Sequence, residues 1–341
     1  MSNREDIISE FMATTDWRNA TRAPLAGDAS MRKYQRVGSG ADGRGAVLMD
    51  ADPALGNDVR PFVEITNYLR SIQLSAPEVF AEDEANGLLL IEDLGDDLFA
   101  RVVLAKPALE QPLYEAATDV LLDLHTAKPP ALKPYDTAFM TKMAALAFDW
   151  YKFGVEDGVD ENTKVAFETA FTTLLDSKVS APSVLIQRDY HAENLLWLPA
   201  RSGVSRVGLL DYQDALLGHP AYDLVSLLKD ARRDVPLPIE EAMIARYIAA
   251  SGRDDTEFRD AYHVLGLQRN LRILGVFARL SMHFGKPSYV DLIPRVWGLV
   301  ERDLDAPVNA PVADILKKAL PAPTPEILQR LKDKCATIPT L

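Results

Sequence analysis

Cysteine is almost absent: Cys335 is the single one in 341 residues. One thiol forms no internal disulfide, and no CxxC or Cys/His cluster is present, so the chain reads as a protein of a reducing compartment. Long apolar runs are missing too. None approaches the ~20 residues that a membrane-spanning helix needs. The opening "MSNREDIISEF" is charged from its fourth residue and has no apolar core, unlike a signal peptide. A cytoplasmic location and no membrane partner are expected. Nor is there a run of lysine and arginine, or a basic stripe interleaved with aromatics. With 37 basic against 50 acidic residues the formal net charge is −13, and no nucleic-acid partner is expected. A polyanion such as ATP would meet a repelling surface and would need a local shield, either a metal ion or a few well-placed cations. The 18 glycines and 22 prolines are too few for a disordered or fibrous chain.

What is present is an ordinary globular composition, 48% apolar and 26% charged, in a chain long enough for two units or one fold with two lobes. Residues 3–13 read as a short amphipathic helix with Ile7, Ile8, Phe11 and Met12 on one face. "TRAPLAGDASMRKYQRV" gives a strand up to Leu25, a turn at 27–30 and a strand from Arg32 to Val37. "GSGADGRG" (38–45) is a hairpin turn by composition and "AVLMD" (46–50) a third strand. A helix over 60–72 and a buried strand in "GLLLIEDLG" (87–95) follow. Beyond residue 95 helical patterns dominate, at 107–127, 137–152, 160–177, 221–232, 238–251, 255–284, 288–303 and 323–333. Strand-like runs interrupt them only at 183–187, 195–198 and 206–210.

The stretch "LIQRDYHAENLLWL" (185–198) sets Gln187, Arg188, Asp189, His191, Glu193 and Asn194 between two apolar runs. That is the pattern of a strand, a tight polar loop and a second strand. "ARSGV" then turns the chain, and "SRVGLLDYQD" brings a further strand back to end at Asp211. Asp189, Asn194 and Asp211 are expected to converge. Phosphoryl transfer uses such a trio. A carboxylate that binds no metal accepts a hydroxyl proton, while an amide and a second carboxylate hold Mg²⁺, which takes oxygen ligands and keeps phosphate oxygens among them. Asp-x₄-Asn followed by Asp 17 residues later is far more specific than Asp-x₄-Asn alone. The competing reading is an Asx-turn that closes a hairpin, with Asp211 a plain strand-end carboxylate.

"RDYHAEN", "LLDYQDALLGHPAYDL" and the early "GDASMRKY" together resemble the aminoglycoside phosphotransferase/choline kinase superfamily, over nearly the whole chain. With "MDA", "HAENLLWL" and "RNLRILGVFARL" (269–280) they are most similar to the bacterial anomeric kinases of N-acetylmuramate and N-acetylglucosamine in peptidoglycan recycling. The resemblance implies an α+β, two-lobed protein-kinase-like fold. Residues 1–95 would form a small antiparallel-sheet lobe that binds nucleotide, and 96–341 a large, mainly helical lobe for catalysis and acceptor binding. It implies ATP and Mg²⁺ as cofactors and a small sugar as acceptor, phosphorylated on its C1 hydroxyl. Carried over by residue, Asp189 is the base and Asn194 and Asp211 the metal ligands. The turn Gly27-Asp28-Ala29-Ser30 covers the ATP phosphates, and the backbone at Glu92 and Leu94 in "IEDLG" meets adenine. Asp223 in "GHPAYDL" braces the catalytic loop. Arg188, His191, Asp214 and Arg269 are candidates for acceptor binding.

Several positions stay open at this level. Asp214 is a solvated loop acid, a distant metal ligand or a substrate contact. His191 is a structural or a functional histidine. Asp223 could cap the helix it begins. Trp150 and Tyr151 belong to the core or stack on a sugar. Two departures from the superfamily stand out. Gln187 occupies a position usually held by His, where an amide can serve as the same scaffold hydrogen-bonder. Met49 stands on the third strand where kinases place a Lys or Arg for the α/β-phosphates. Arg32 is the expected substitute, since it shares a face with Tyr34 by strand alternation, and Glu64 is its expected partner. Lys33 and Arg36 are the other cations on that strand. The alternatives are a kinase for choline, homoserine or an aminoglycoside, a nucleotide-binding pseudokinase, or a metal-dependent hydrolase using Asp189, His191, Asp211 and His219.

Overall fold

The computed structural model describes residues 4–25, 32–40, 43–179 and 181–339, so the expected turn Gly27-Asp28-Ala29-Ser30 lies outside the described residues. The strands are β1 (Arg22–Leu25), β2 (Lys33–Val37), β3 (Ala46–Asp50), β4 (Val79–Asp83), β5 (Leu88–Glu92), β6 (Val184–Ile186), β7 (Leu195–Trp197), β8 (Val207–Leu209) and β9 (Leu216–Gly218). The helices are α1 (Arg4–Ala13), α2 (Arg60–Ser71), α3 (Phe99–Ala105), α4 (Glu110–Thr126), α5 (Thr137–Ala144), α6 (Phe153–Glu156) and α7 (Glu161–Lys178). They continue with α8 (Ala221–Leu228), α9 (Leu237–Ser251), α10 (Asp255–Met282), α11 (Ile293–Leu304), α12 (Ala310–Ala319) and α13 (Pro325–Asp333). The chain divides into two compact units, Met1–Ala127 with Ala192–Ala215, and Lys128–His191 with Leu216–Leu341. The expected division into two lobes at 95/96 belongs to the proposal below.

The first unit is built on an antiparallel sheet of order β1-β2-β3-β5-β4. β3 lies in its middle and all five of its residues are buried. Alternation sorts them onto two faces. Ala46 and Leu48 join Val37, Leu88 and Leu90 beneath Ile8, Phe11 and Met12 of α1. Asp50 falls on that face as well, and Arg4 of α1 meets it at 2.7 Å, so the inward carboxylate is not left without a cation. Tyr34, Met49 and Leu89 are register neighbours across β2, β3 and β5 and therefore share the opposite face. Pro61 sits in the first turn of α2, where no amide is needed, and Phe62, Ile65, Thr66 and Leu69 form its buried stripe. β7 and β8 form a hairpin in register Leu195↔Leu209, as the sequence suggests.

The second unit is helical, with α10 as its long member, packed against α5, α8 and α11. A Cβ on Gly275 would come within 2.2 Å of the Leu146 carbonyl oxygen, so glycine lets α10 approach the π-helical turn Ala147–Lys152. That turn carries Trp150 and Tyr151, both buried; the Tyr151 hydroxyl donates to Pro321 O at 2.7 Å. They are core residues rather than a sugar-stacking platform. Lys229 and Asp303 form an ion pair with neither side chain exposed.

The fold class is α+β, as expected. The differences are local. β6 pairs with β9, not with β7. β9 escaped notice because three residues ending in glycine read as loop, and β4 because its "VFAED" follows a proline and carries charge. The expected helix 137–152 breaks after Ala144 into the π-helical turn. The expected helix 221–232 stops at Leu228, where Asp230 accepts the Arg232 N–H in an Asx-type turn. α3 and α12 also lie outside the expected spans. Among the described residues no helix is long and apolar enough to cross a membrane.

Candidate active site

In the second unit, β6 delivers the chain into the polar loop, and α8 fixes it there. The fully buried carboxylate of Asp223 accepts the backbone N–H of Gln187 at 2.6 Å and of Arg188 at 2.9 Å. No side chain caps α8, so the brace is the role Asp223 fills. Burial raises its pKa to about 7, against the pull of those two amides. Arg188 takes the left-handed backbone region at φ 72, a conformation that costs a non-glycine residue about 1–3 kcal/mol. The braced amides on one side and the Ser226 hydroxyl donating to Arg188 O on the other hold it. The expected scaffold role of Gln187 falls to its backbone, for its side-chain Nε2 is buried with no hydrogen-bond partner among the described residues.

The bend presents Asp189 with its side chain 38% exposed. Burial pushes its pKa up, but Arg272, Arg269, His191 and Arg188 together outweigh that and hold it below the ordinary value. At neutral pH Asp189 is therefore ionised. Arg269 Nη2 lies 3.9 Å from Asp189 Oδ1. His191 is buried, and desolvation lowers its pKa despite the charge of Asp230. It is a neutral imidazole at neutral pH.

In the first unit, the β7–β8 hairpin sets Asn194 and Asp211 opposite one another. Asn194 immediately precedes β7, and its carbonyl accepts the Leu210 N–H at 3.0 Å. The Asn194 amide donates to Asp211 Oδ2 at 3.4 Å and the Gln213 amide to Asp211 Oδ1 at 2.7 Å. Asp211 is exposed, at φ 56, a left-handed non-glycine like Arg188. Its neighbour Tyr212 is fully buried, stacks on Phe62 at 5.2 Å and pairs its hydroxyl with Thr66 Oγ1 at 2.6 Å. Helix α2 thus grips the residue next to Asp211. Sequence reasoning missed Tyr212 and Gln213, whose only mark was adjacency to Asp211.

The Tyr34 phenol is pushed up by burial, drawn down by Arg32, to which it hydrogen-bonds, and raised by Asp211. Arg32 and Asp211 are thus both close enough to Tyr34 to act on it. Arg36 is engaged by Asp93 at 2.7 Å and Asp96 at 2.7 Å, and Lys33 is exposed. Glu64, the expected partner of the strand cation, is exposed on α2 and senses Arg60 instead. At the expected hinge, the Glu92 N–H donates to Glu78 O at 2.8 Å, and its carboxylate takes Arg201 at 2.5 Å. Leu94 lies against Gly208, where an added Cβ would come within 3.1 Å of its Cδ1. Asp214 is exposed.

The structure therefore assembles Asn194 with Asp211 in one unit, and Arg188, Asp189, His191 and Arg269 in the other. The chain passes between the two units at 191/192. One amide and one carboxylate fit a Mg²⁺ that keeps phosphate and water among its ligands. Among the described residues no three or more His, Cys, Asp or Glu could hold a metal ion together. The hydrolase alternative thus lacks its ligand set, and His219 Nδ1 is already accepting the Ala221 N–H at 3.1 Å.

A five-stranded antiparallel sheet followed by a helical body, with Asp-x₄-Asn on one loop and an Asp at the end of the hairpin that follows, defines a phosphotransferase of the kinase-like class. The model of the phosphotransferase enzyme family matches residues 21–262. The chain is 38% identical to an N-acetylmuramate/N-acetylglucosamine kinase of Caulobacter vibrioides, covering 87% of this chain and 91% of that one. It is 32% identical to a protein of the same name in Pseudomonas aeruginosa, over 87% and 88%. The protein belongs to the phosphotransferase enzyme family, and it is a kinase by class. Solved structures share the fold at low identity. Plasmodium vivax ethanolamine kinase has TM-score 0.60 and 12% identity over 86% of this chain and 83% of that one. A microcompartment-associated aminopropanol kinase has TM-score 0.59 and 15% identity over 91% and 99%.

Proposed function

We propose that the protein transfers the γ-phosphoryl group of ATP to the anomeric C1 hydroxyl of N-acetylmuramate or N-acetylglucosamine, giving the sugar 1-phosphate and ADP in peptidoglycan recycling. The observation that carries the chemistry is the Asn194–Asp211 pair, with Asn194 five residues after Asp189, a carboxylate that arginines keep ionised. The choice of acceptor rests on the names of the relatives.

Asp189 orients the sugar hydroxyl and takes its proton. An anomeric hydroxyl is more acidic than an ordinary alcohol, because the ring oxygen withdraws electron density, and it suits a weak carboxylate base. Asn194 and Asp211 would hold Mg²⁺, which when bound would offset charge on the phosphates. The turn Gly27-Asp28-Ala29-Ser30 covers the phosphates, Arg32 neutralises them in place of a third-strand cation, and the backbone at Glu92 and Leu94 borders the adenine. Residues 1–95 supply the nucleotide-binding part and 96–341 the catalytic and acceptor-binding part. Arg188, His191, Asp214 and Arg269 serve the acceptor. The enzyme works in the cytoplasm.

The test is ADP release from Mg·ATP with a panel of amino sugars, choline, homoserine and aminoglycosides. The two N-acetylated amino sugars are expected to give the highest kcat/KM. A preference for an aminoglycoside or an amino alcohol would displace the acceptor assignment, and no turnover with any acceptor would favour a nucleotide-binding module.

A further inference from the structure

Arginine accumulates around Asp189 beyond what one carboxylate needs. Arg269 and Arg272 stand three residues apart on α10 and so share a face, and Arg188 comes from the loop itself. All three guanidiniums act on Asp189. The remaining acid of the cluster is Asp223, with its pKa raised to about 7 by burial, and His191 is neutral. Asp230 and Arg232 act on His191 in opposite senses. Three permanent cations thus face one fully ionised carboxylate, in a protein whose overall charge is −13.

Arg269 is the most telling of them. Its side chain is 3% exposed, and its Nε and Nη1 have no hydrogen-bond partner among the described residues. Two donors of a buried guanidinium without acceptors are costly. Beside it, Arg272 Nη1 donates to the Tyr222 hydroxyl at 3.4 Å, and the Arg188 guanidinium lies over the Tyr135 ring at 5.9 Å. The planar fork of an arginine matches a carboxylate, which accepts two parallel N–H bonds.

We infer that the arginine cluster of Arg188, Arg269 and Arg272 is an anion subsite for the acceptor, and that its occupant is the lactyl carboxylate that N-acetylmuramate has and N-acetylglucosamine lacks. This rests on the acceptor assignment above. The subsite makes the enzyme selective for the acidic sugar, with Arg269 as the principal contact.

The test compares kcat/KM for the two sugars in the wild type and in Arg269→Gln. Because Arg269 also acts on Asp189, both values are expected to fall. The ratio of N-acetylmuramate to N-acetylglucosamine is expected to fall by at least about tenfold further, the scale of a charge-assisted hydrogen bond, and to recover in part in Arg269→Lys. An equal fall for both sugars, with the ratio unchanged, would overturn the inference and leave Arg269 to Asp189 or the nucleotide. Should Arg269→Gln fail to fold, the wild type decides alone. The methyl ester of N-acetylmuramate is expected to show a KM at least about tenfold above the free acid, and equal KM values would overturn the subsite. A wild type silent toward both sugars but active on another acceptor would instead refute the acceptor assignment, and this inference with it.

Discussion

The hydroxyls of Thr66 and Tyr212 lie 2.6 Å apart in a contact where both residues are fully buried, tying helix α2 to the segment that carries Asp211. The contact anchors the residue next to Asp211, whose left-handed backbone costs free energy even though aspartate tolerates it better than most residues. Thr66→Val keeps the shape and removes the partner, leaving a buried phenol unsatisfied at a cost of about 1–3 kcal/mol. Adding Tyr212→Phe is expected to recover most of that loss, since replacing both partners by apolar groups of like shape is nearly neutral. Chemical denaturation of the two single variants and the double variant measures this. Additive losses would show that the hydroxyl pair contributes nothing specific.

Asp189→Asn removes the proposed base but keeps size and most hydrogen bonding. General-base catalysis is worth roughly 10²–10⁴-fold, so kcat is expected to fall by that order while ATP binding stays near normal. Asp211→Ala is expected to do the reverse in emphasis, weakening productive Mg·ATP binding. Turnover at different Mg²⁺ and ATP concentrations separates the two patterns, and near-normal kcat in Asp189→Asn would remove that residue from the chemistry.

Arg32 precedes β2 and hydrogen-bonds to Tyr34, whose register partner is Met49. Arg32→Ala is expected to raise KM for ATP and lower kcat, with KM for the acceptor little changed. Unaltered ATP dependence would pass the role to Lys33 or to the metal alone, since Arg36 is engaged by Asp93 and Asp96.

His219 supplies a pH signature. Burial lowers its pKa from 6.5 to about 4, and Nδ1 must stay unprotonated to accept the Ala221 N–H. Above pH 6.5 both folded and unfolded states hold it neutral, and its contribution is complete. Between pH 6.5 and 4 only the unfolded chain takes up the proton, so about 3 kcal/mol of stability is lost, at about 1.4 kcal/mol per pKa unit. His219→Asn keeps an acceptor near Nδ1 but cannot titrate. Its melting temperature is expected to fall less than that of the wild type over this range, and parallel curves would show that His219 protonates freely in the folded state.

Much of this was legible in the sequence, because it rests on local pattern. The strand "AVLMD" and the β7–β8 hairpin follow from apolar runs between turn residues, and the hairpin alone brings Asn194 to Asp211. The brace from Asp223 was legible through its motif, and the structure chose it over a helix cap. Less was legible wherever distant segments decide the outcome. The pairing of β6 with β9 joins residues some thirty positions apart through three-residue strands that carry no period of their own. The expected Glu64 partner failed because helix α2 turns Thr66 and Phe62 inward and leaves Glu64 in solvent. The excess of arginine at Asp189 is a property of packing, since α10 meets the loop 80 residues after it in sequence.

The most direct measurement of the central claim is the position of the new phosphate on the product sugar. Phosphorus-coupled NMR of the C1 proton, with a reducing-sugar assay on the same product, reads it without mutation. The account predicts phosphorus coupling at C1 and loss of the reducing end. A product that still reduces the reagent and shows no coupling at C1 would contradict it and make the enzyme a kinase of an ordinary hydroxyl.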